Sequence, residues 1–307
     1  MVLNKVAITG GSGMVGRHLI ASLITKGIDC IVTSRTKPEN NSPLVSWKAW
    51  DLQEWKSIDE LNLLFPDVSA IIHVGAAVPS PGENLSEKII FDSNVRSCLC
   101  IGQWALEKKI PMIFLSGATV YANQYSEGIC EDDEKAVQTL GGFYGFSKLL
   151  AEEVLLNLAA NGLQLCILRP SSIYGFGLHK EKMIFKFIMQ ASRDEIIVLK
   201  QPVDDKIDLI HASDVADAAV QALEGNVHGI YNIASGTLAT VFEIAQTCVK
   251  VVGKGKVEIK VDVPERAPIL RFALNCDAAR KNIGFAPKIS LWEGIGRIWH
   301  QMQQEDC

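Results

Sequence analysis

Three observations predict an α/β protein: a doubly wound parallel sheet with a smaller C-terminal substrate-binding lobe. Short apolar runs alternate with helical stretches through the first two thirds of the chain. These runs are apolar at nearly every position, as strands covered on both faces must be. The first of them, Val6-Ala7-Ile8-Thr9, leads into a glycine-rich turn and then a helical pattern, which is how a βαβ unit opens.

The elements follow in order. After the strand at 6–9 comes Gly10-Gly11-Ser12-Gly13-Met14-Val15-Gly16, then helical periodicity over 17–24. A second strand is read at 30–34, and an alternating third at 45–50 that ends on Asp51-Leu52. A short helix at 57–65 stops at Pro66, because proline cannot continue the backbone ladder. A buried strand at 69–74, one long helix at 86–108, a strand at 112–116, a helix at 143–161 and a strand at 165–169 complete the repetition, joined by right-handed crossovers. Beyond Pro170 the pattern loosens. Helices are read at 182–192, 213–223, 240–252, 277–283 and 291–303, with strands at 195–199, 206–210, 229–233 and 256–263. The division expected is a dinucleotide-binding domain over 1–172 and a substrate lobe over 173–307, with segments near 206–235 returning to the main sheet.

Composition excludes several classes. The chain has 307 residues, 48% hydrophobic, and a net charge of −5. That balance is wrong for a nucleic-acid surface, which is normally strongly basic. No apolar run is long enough to span a bilayer, and the first strand breaks at Thr9-Gly10 before a signal-peptide core forms. The eight cysteines are scattered, Cys98 and Cys100 being the only close pair, with no metal-ligand spacing. Reduced thiols, a cytoplasmic location and no metal are expected.

The chemistry-bearing residues start with the glycines. Gly11, Gly13 and Gly16 fit the G-x-G-x-x-G (Rossmann) fingerprint between a strand and a helix. Glycines there let the backbone approach a pyrophosphate, and the helix N-terminus offers unpaired N–H groups and a positive dipole end. Tyr144 and Lys148, four residues apart, share one helix face. A tyrosine becomes a useful base near neutrality only beside a cation, and Lys148 is the expected source of that field. The second strand ends Thr33-Ser34-Arg35, with no carboxylate for a ribose 2′-hydroxyl, and Arg35 suits a 2′-phosphate. NADP is therefore favoured over NAD, with NAD as the other option.

Together these segments resemble the extended short-chain dehydrogenase/reductase superfamily, in its nucleotide-sugar epimerase, dehydratase and reductase branch, over nearly the whole chain. The glycine loop is similar to T-G-x-x-G-x-x-G, with Gly10, Gly13 and Gly16 in register. Asp51-Leu52, His73-Val74-Gly75-Ala76-Ala77, Asn94, Tyr144-x-x-x-Lys148, Arg169-Pro170, His211-x-x-Asp214 and Asn232 through Gly236 follow in the family's order. The resemblance implies that Tyr144 and Lys148 are catalytic. It implies cofactor contacts at Gly10, Gly13, Met14, Val15, Gly16, Ser34, Arg35, Asp51, Leu52, Ala76, Asn94, Tyr144, Lys148 and Pro170. It implies a substrate site at Ser80, Arg266 and Arg271, and a homodimer through the helices at 86–108 and 143–161.

One departure stands out. Where the family carries a Ser or Thr hydroxyl for the substrate oxygen, this chain has Gly117. Thr119 ranks first as its substitute and Ser116 second, since alternation turns Ser116 to the other face; water or no group at all are the remaining options. The leading expectation is an oxidoreductase acting at C4 of a nucleotide-linked sugar, as a 4-keto reductase or a 4-epimerase. A dehydratase would carry Asp-Glu where Ala118-Thr119 stand. A reductase of a non-sugar ketone or aldehyde, and a non-catalytic nucleotide-binding protein, are the alternatives.

Overall fold

The computed structural model describes residues 3–80, 84–122, 125–138, 141–177, 179–200, 203–260 and 271–305. The chain opens with β1 (Lys5–Thr9), α1 (Met14–Thr25), β2 (Asp29–Ser34), β3 (Val45–Ala49), α2 (Ile58–Leu64) and β4 (Ala70–His73). Next come α3 (Glu87–Phe91), a π-helical turn (Asp92–Arg96), α4 (Ser97–Lys108), β5 (Met112–Leu115), a 3-10 turn (Ala118–Val120), α5 (Phe143–Ala160) and β6 (Leu165–Pro170). The remainder is β7 (Ser172–Tyr174), α6 (Met183–Ser192), β8 (Ile196–Lys200), β9 (Lys206–His211), α7 (Ala212–Glu224), β10 (Gly229–Ile233), β11 (Leu238–Thr240), α8 (Val241–Val252), β12 (Lys256–Lys260), β13 (Arg271–Phe272), α9 (Asp277–Ile283) and α10 (Leu291–Glu305).

Seven strands form one sheet in the order β10-β6-β5-β4-β1-β2-β3, and every pairing in it is parallel. Both faces are covered, which is why its strands are apolar throughout. Val6 and Ile8 of β1 point into a core shared with α1 and α7, whereas Ala7 points into the core under α4 and α5. Strand order reverses between β1 and β4, and ligands of open α/β sheets bind outside the strand C-termini at such a point.

A third core, built from α6, α8, α10 and β8 around Tyr174, Ile188 and Ile244, lies in the C-terminal third. Of the segments expected to return to the main sheet, only β10 does. Strand β9 instead joins a second sheet with β7, β11 and β13. The single long helix expected at 86–108 is also corrected: the π turn at 92–96 divides it into α3 and α4.

Candidate active site

The glycine loop sits at the strand-order reversal. Gly10 adopts a left-handed φ of 73°, and a Cβ there would lie 2.5 Å from Gly75 Cα in the loop after β4. A Cβ on Gly16 would lie 2.3 Å from the Gly10 carbonyl. Only glycine lets these two loops and the first turn of α1 pack this closely. Gly13 is the N-cap of α1 and supplies no side-chain cap, so the first-turn N–H groups are left to a ligand or water. Val15 faces the core, so its backbone is what it can offer a cofactor, while Met14 is half-buried. These residues fit a dinucleotide pyrophosphate.

Around this cradle, Ser34 ends β2 with its hydroxyl donating to Thr36 O at 2.6 Å and accepting from Trp47 Nε1 at 3.1 Å. Arg35 beyond it is exposed. Asp29 pairs with Lys5 at the opposite end of β2, too far along the strand to reach a ribose. Asp51 and Leu52 follow β3, and Leu52 Cδ1 lies 2.7 Å from a Cβ built on Gly75, which brings it against the loop containing Ala76. Pro170 is buried at the end of β6.

His73 is fully buried, stacked on Phe114 with ring centroids 5.7 Å apart, and bonded through Nδ1 to the Thr9 hydroxyl at 2.6 Å. Burial pulls its pKa down to about 3, helped by the Lys148 charge, so the ring is neutral. The same Thr9 hydroxyl accepts Gly75 N–H at 3.3 Å.

Asn94 lies in the π turn. Its carbonyl accepts Ala77 N–H at 2.7 Å, and its amide donates to Ala77 O at 3.1 Å and to Ser147 Oγ at 3.0 Å. Ser147 in turn donates to Tyr144 O at 2.7 Å. Both amide hydrogens are thus spent on protein. Asn94 clamps the loop after β4 to the first turns of α5.

Tyr144 and Lys148 share one face of α5. The phenol forms no hydrogen bond among the described residues, and burial pushes its pKa up to about 12. Lys148 is buried; Nζ donates to Leu115 O at 2.8 Å and sits 4.9 Å from the centre of the Phe114 ring. Burial brings its pKa down to about 8. The Lys148 ammonium is thus anchored on the end of β5, and desolvation is what raises the phenol's pKa.

Ser116 is turned away from the site. Its hydroxyl donates to Glu152, which also accepts Arg169 Nε at 3.0 Å and Arg169 Nη2 at 2.7 Å, all buried. Arg169 Nη1 reaches Tyr121 Oη at 2.9 Å, and Tyr121 donates to Asn232 Oδ1 at 2.6 Å. Sequence reasoning missed Glu152 as the hub of this network. It was findable, since Tyr144, Lys148 and Glu152 recur every four residues along α5. Thr119 lies in the 3-10 turn; its hydroxyl is buried and has no hydrogen-bond partner among the described residues.

Ser80 is half-buried in the loop after β4, Arg271 is exposed in β13, and Arg266 lies outside the described residues. His211 and Asp214 prove structural: His211 Nδ1 caps α7 by accepting Ser213 N–H at 3.2 Å, and Asp214 accepts the N–H groups of Lys288 and Ile289 at 3.0 and 3.1 Å. Among the described residues no cluster of His, Cys, Asp or Glu could hold a metal ion, and no helix is long and apolar enough to cross a membrane.

A glycine cradle at the strand-order reversal, with Tyr-x-x-x-Lys on the adjoining helix, defines a dinucleotide-binding oxidoreductase site. The chain belongs to the NAD dependent epimerase/dehydratase family, matched over residues 6–234. A Methanocaldococcus jannaschii protein named "Putative UDP-glucose 4-epimerase" is 26% identical over 313 residues, covering 98% of this chain and 99% of its own. The fold is shared with UDP-N-acetylglucosamine 4-epimerase from Bacillus cereus, at a TM-score of 0.83 and 23% identity over 98% of this chain and 96% of that one. It is also shared with the UDP-glucuronic acid 4-epimerase from Bacillus cereus solved in complex with NAD, at a TM-score of 0.83 and 18% identity over 98% and 99% of the two chains.

Proposed function

We propose that this protein is an NAD-dependent 4-epimerase of a UDP-linked sugar. The observation that carries the reading is the Tyr144 phenol, free of hydrogen bonds among the described residues and on the same α5 face as a lysine tied to the end of β5. The phenolate form of Tyr144 takes the proton of the sugar C4 hydroxyl as hydride leaves C4, and the resulting phenol returns it when hydride is delivered to the other face of the ketone. With a pKa raised to about 12, Tyr144 rests as the acid, and becomes a base only when positive charge gathers beside it. Lys148 lies within one helix turn, and an oxidised nicotinamide bound in the glycine cradle would supply the second charge and the hydride acceptor for C4. The substrate class rests on the relatives named above, each named as a 4-epimerase of a UDP-sugar.

NADP, and with it a 4-keto reductase, is the second reading because of one observation. Arg35 is exposed at the end of β2, followed by Lys37, with no carboxylate between Ser34 and Lys37. The seven described cysteines are all free thiols, which fits a cytoplasmic protein. Purified protein incubated with UDP-glucose, UDP-N-acetylglucosamine and UDP-glucuronic acid in turn, with products separated by chromatography, tests the main reading. Interconversion of C4 epimers without net change in NADH absorbance is expected. Stoichiometric NADPH consumption with a UDP-4-keto sugar establishes the reductase, and no turnover in either assay overturns both.

A further inference from the structure

We propose that Thr119 is a catalytic residue: its hydroxyl holds the substrate C4 oxygen in the place of the side chain that Gly117 lacks. The proposal rests on the epimerase reading above. It comes from three observations at the end of β5. Ser116, the nearest hydroxyl in sequence, is committed to the buried Glu152 carboxylate. Gly117 has a φ of −174°, ordinary extended backbone, so the missing side chain is not explained by backbone geometry. Thr119 Oγ1 is buried and unpaired among the described residues, an arrangement that costs about 1–3 kcal/mol unless something else bonds to it.

The geometry joins the second and third observations. Beyond the adjoining residues, a Cβ built on Gly117 has Thr119 Oγ1 as its nearest neighbour, at 3.5 Å, and no other described residue within 4 Å. The space a residue-117 side chain would fill is therefore open, and the orphan hydroxyl borders it. The 3-10 turn carrying Thr119 packs against α5, the helix of Tyr144 and Lys148. Leu115 O, four residues before Thr119, is the anchor of the Lys148 ammonium. The hydroxyl thus sits on the segment that Lys148 fastens to the catalytic helix.

No bond is made or broken at Thr119. Its O–H donates to the C4 oxygen, keeping that oxygen aimed at the phenol while the proton passes to Tyr144 and back. A donor positioned this way is worth more to the transition state than to the bound substrate, so its removal acts on kcat more than on KM.

The test is a set of variants of the full chain, assayed for C4 interconversion with the UDP-sugar that the parent turns over. Thr119→Val keeps the shape and removes the hydroxyl. It is expected to lower kcat roughly 30- to 1000-fold with KM within a few-fold. Its melting temperature should hold or rise, because the lost hydroxyl has no partner among the described residues; a structural role would lower it. Thr119→Ser should retain activity within about tenfold. The double variant Gly117→Ser with Thr119→Val should recover at least about tenfold of the loss, since a hydroxyl returns to the same space. A Thr119→Val rate within threefold of the parent, or a lowered melting temperature together with a failed double-variant rescue, overturns the proposal and leaves the epimerase reading standing. A parent with no turnover, or a Tyr144→Phe variant as fast as the parent, overturns that reading and this proposal with it.

Discussion

His73 is fully buried and Tyr144 partly so, yet desolvation acts on the two in opposite chemical senses. For Tyr144 it preserves the proton, pushing the pKa up to about 12. Tyr144→Phe is expected to abolish turnover while dinucleotide affinity, followed by fluorescence titration, stays within a few-fold, because the phenol moves a proton and carries little binding. For His73, burial removes the proton, with a folded value of about 3 against 6.5 for the free side chain. Between those values the unfolded chain binds the extra proton, so stability is full above about pH 6.5 and is lost as pH falls toward 3. Acidification from pH 7 to 4.5 should cost about 2–3 kcal/mol through His73. His73→Gln should flatten that part of the melting-temperature profile, and an unchanged slope would show that His73 is not its source. Arg35 carries the cofactor choice. Arg35→Ala should weaken NADPH by about 1–3 kcal/mol and barely change NADH, in line with the loss of one charge-assisted hydrogen bond. Equal weakening of both would remove any 2′-phosphate role.

The π turn between α3 and α4 shows what an element contributes that its sequence does not advertise. Helical periodicity runs on either side of it, so the pattern reads as one helix at 86–108, and a single extra residue per turn leaves no compositional mark. Yet this turn places Asn94 between Ala77 and Ser147, joining the cofactor-side loop to the catalytic helix. Asn94→Ala leaves Ala77 N and O without these partners. It should lower unfolding stability by about 2–4 kcal/mol in urea and weaken dinucleotide binding more than it changes kcat. A loss under about 0.5 kcal/mol would mean that the clamp is slack. Most main-sheet strands were legible as continuous apolar runs and most helices by their 3.6-residue period, with boundaries marked where a cap or stop residue stands, as Ser57 and Pro66 do around α2. β7, β11 and β13 have three, three and two residues, too few for alternation to register. The site divided similarly. The glycine loop and Tyr144-x-x-x-Lys148 are local patterns, whereas the Lys148 anchor on Leu115 O depends on how β5 and α5 are juxtaposed.

At the scale of the whole molecule, α3, α4 and α5 cover one face of the main sheet, and their outer surfaces are not fully polar. Phe91 is 39% exposed, and Leu99, Leu150 and Val154 are half-buried but outside the three cores. Leu150 and Val154 are four apart on α5, so they line one stripe, and Phe91 and Leu99 are two turns apart across the π turn. A second copy of the chain, related by a two-fold axis, would lay this stripe against itself as a four-helix bundle, the closed isologous arrangement that most homodimers adopt. The glycine cradle and Tyr144 lie on one chain, so dimerisation is expected to govern stability and leave the chemistry within that chain. Light scattering at micromolar concentration should give the mass of two chains. Val154→Glu puts a charge at the centre of the stripe, and burying it there unpaired costs several kcal/mol, enough to move the population to monomer. The monomeric variant should melt at a lower temperature yet still bind dinucleotide. A parent that scatters as one chain, or a Val154→Glu variant that remains dimeric, rules this face out as the interface.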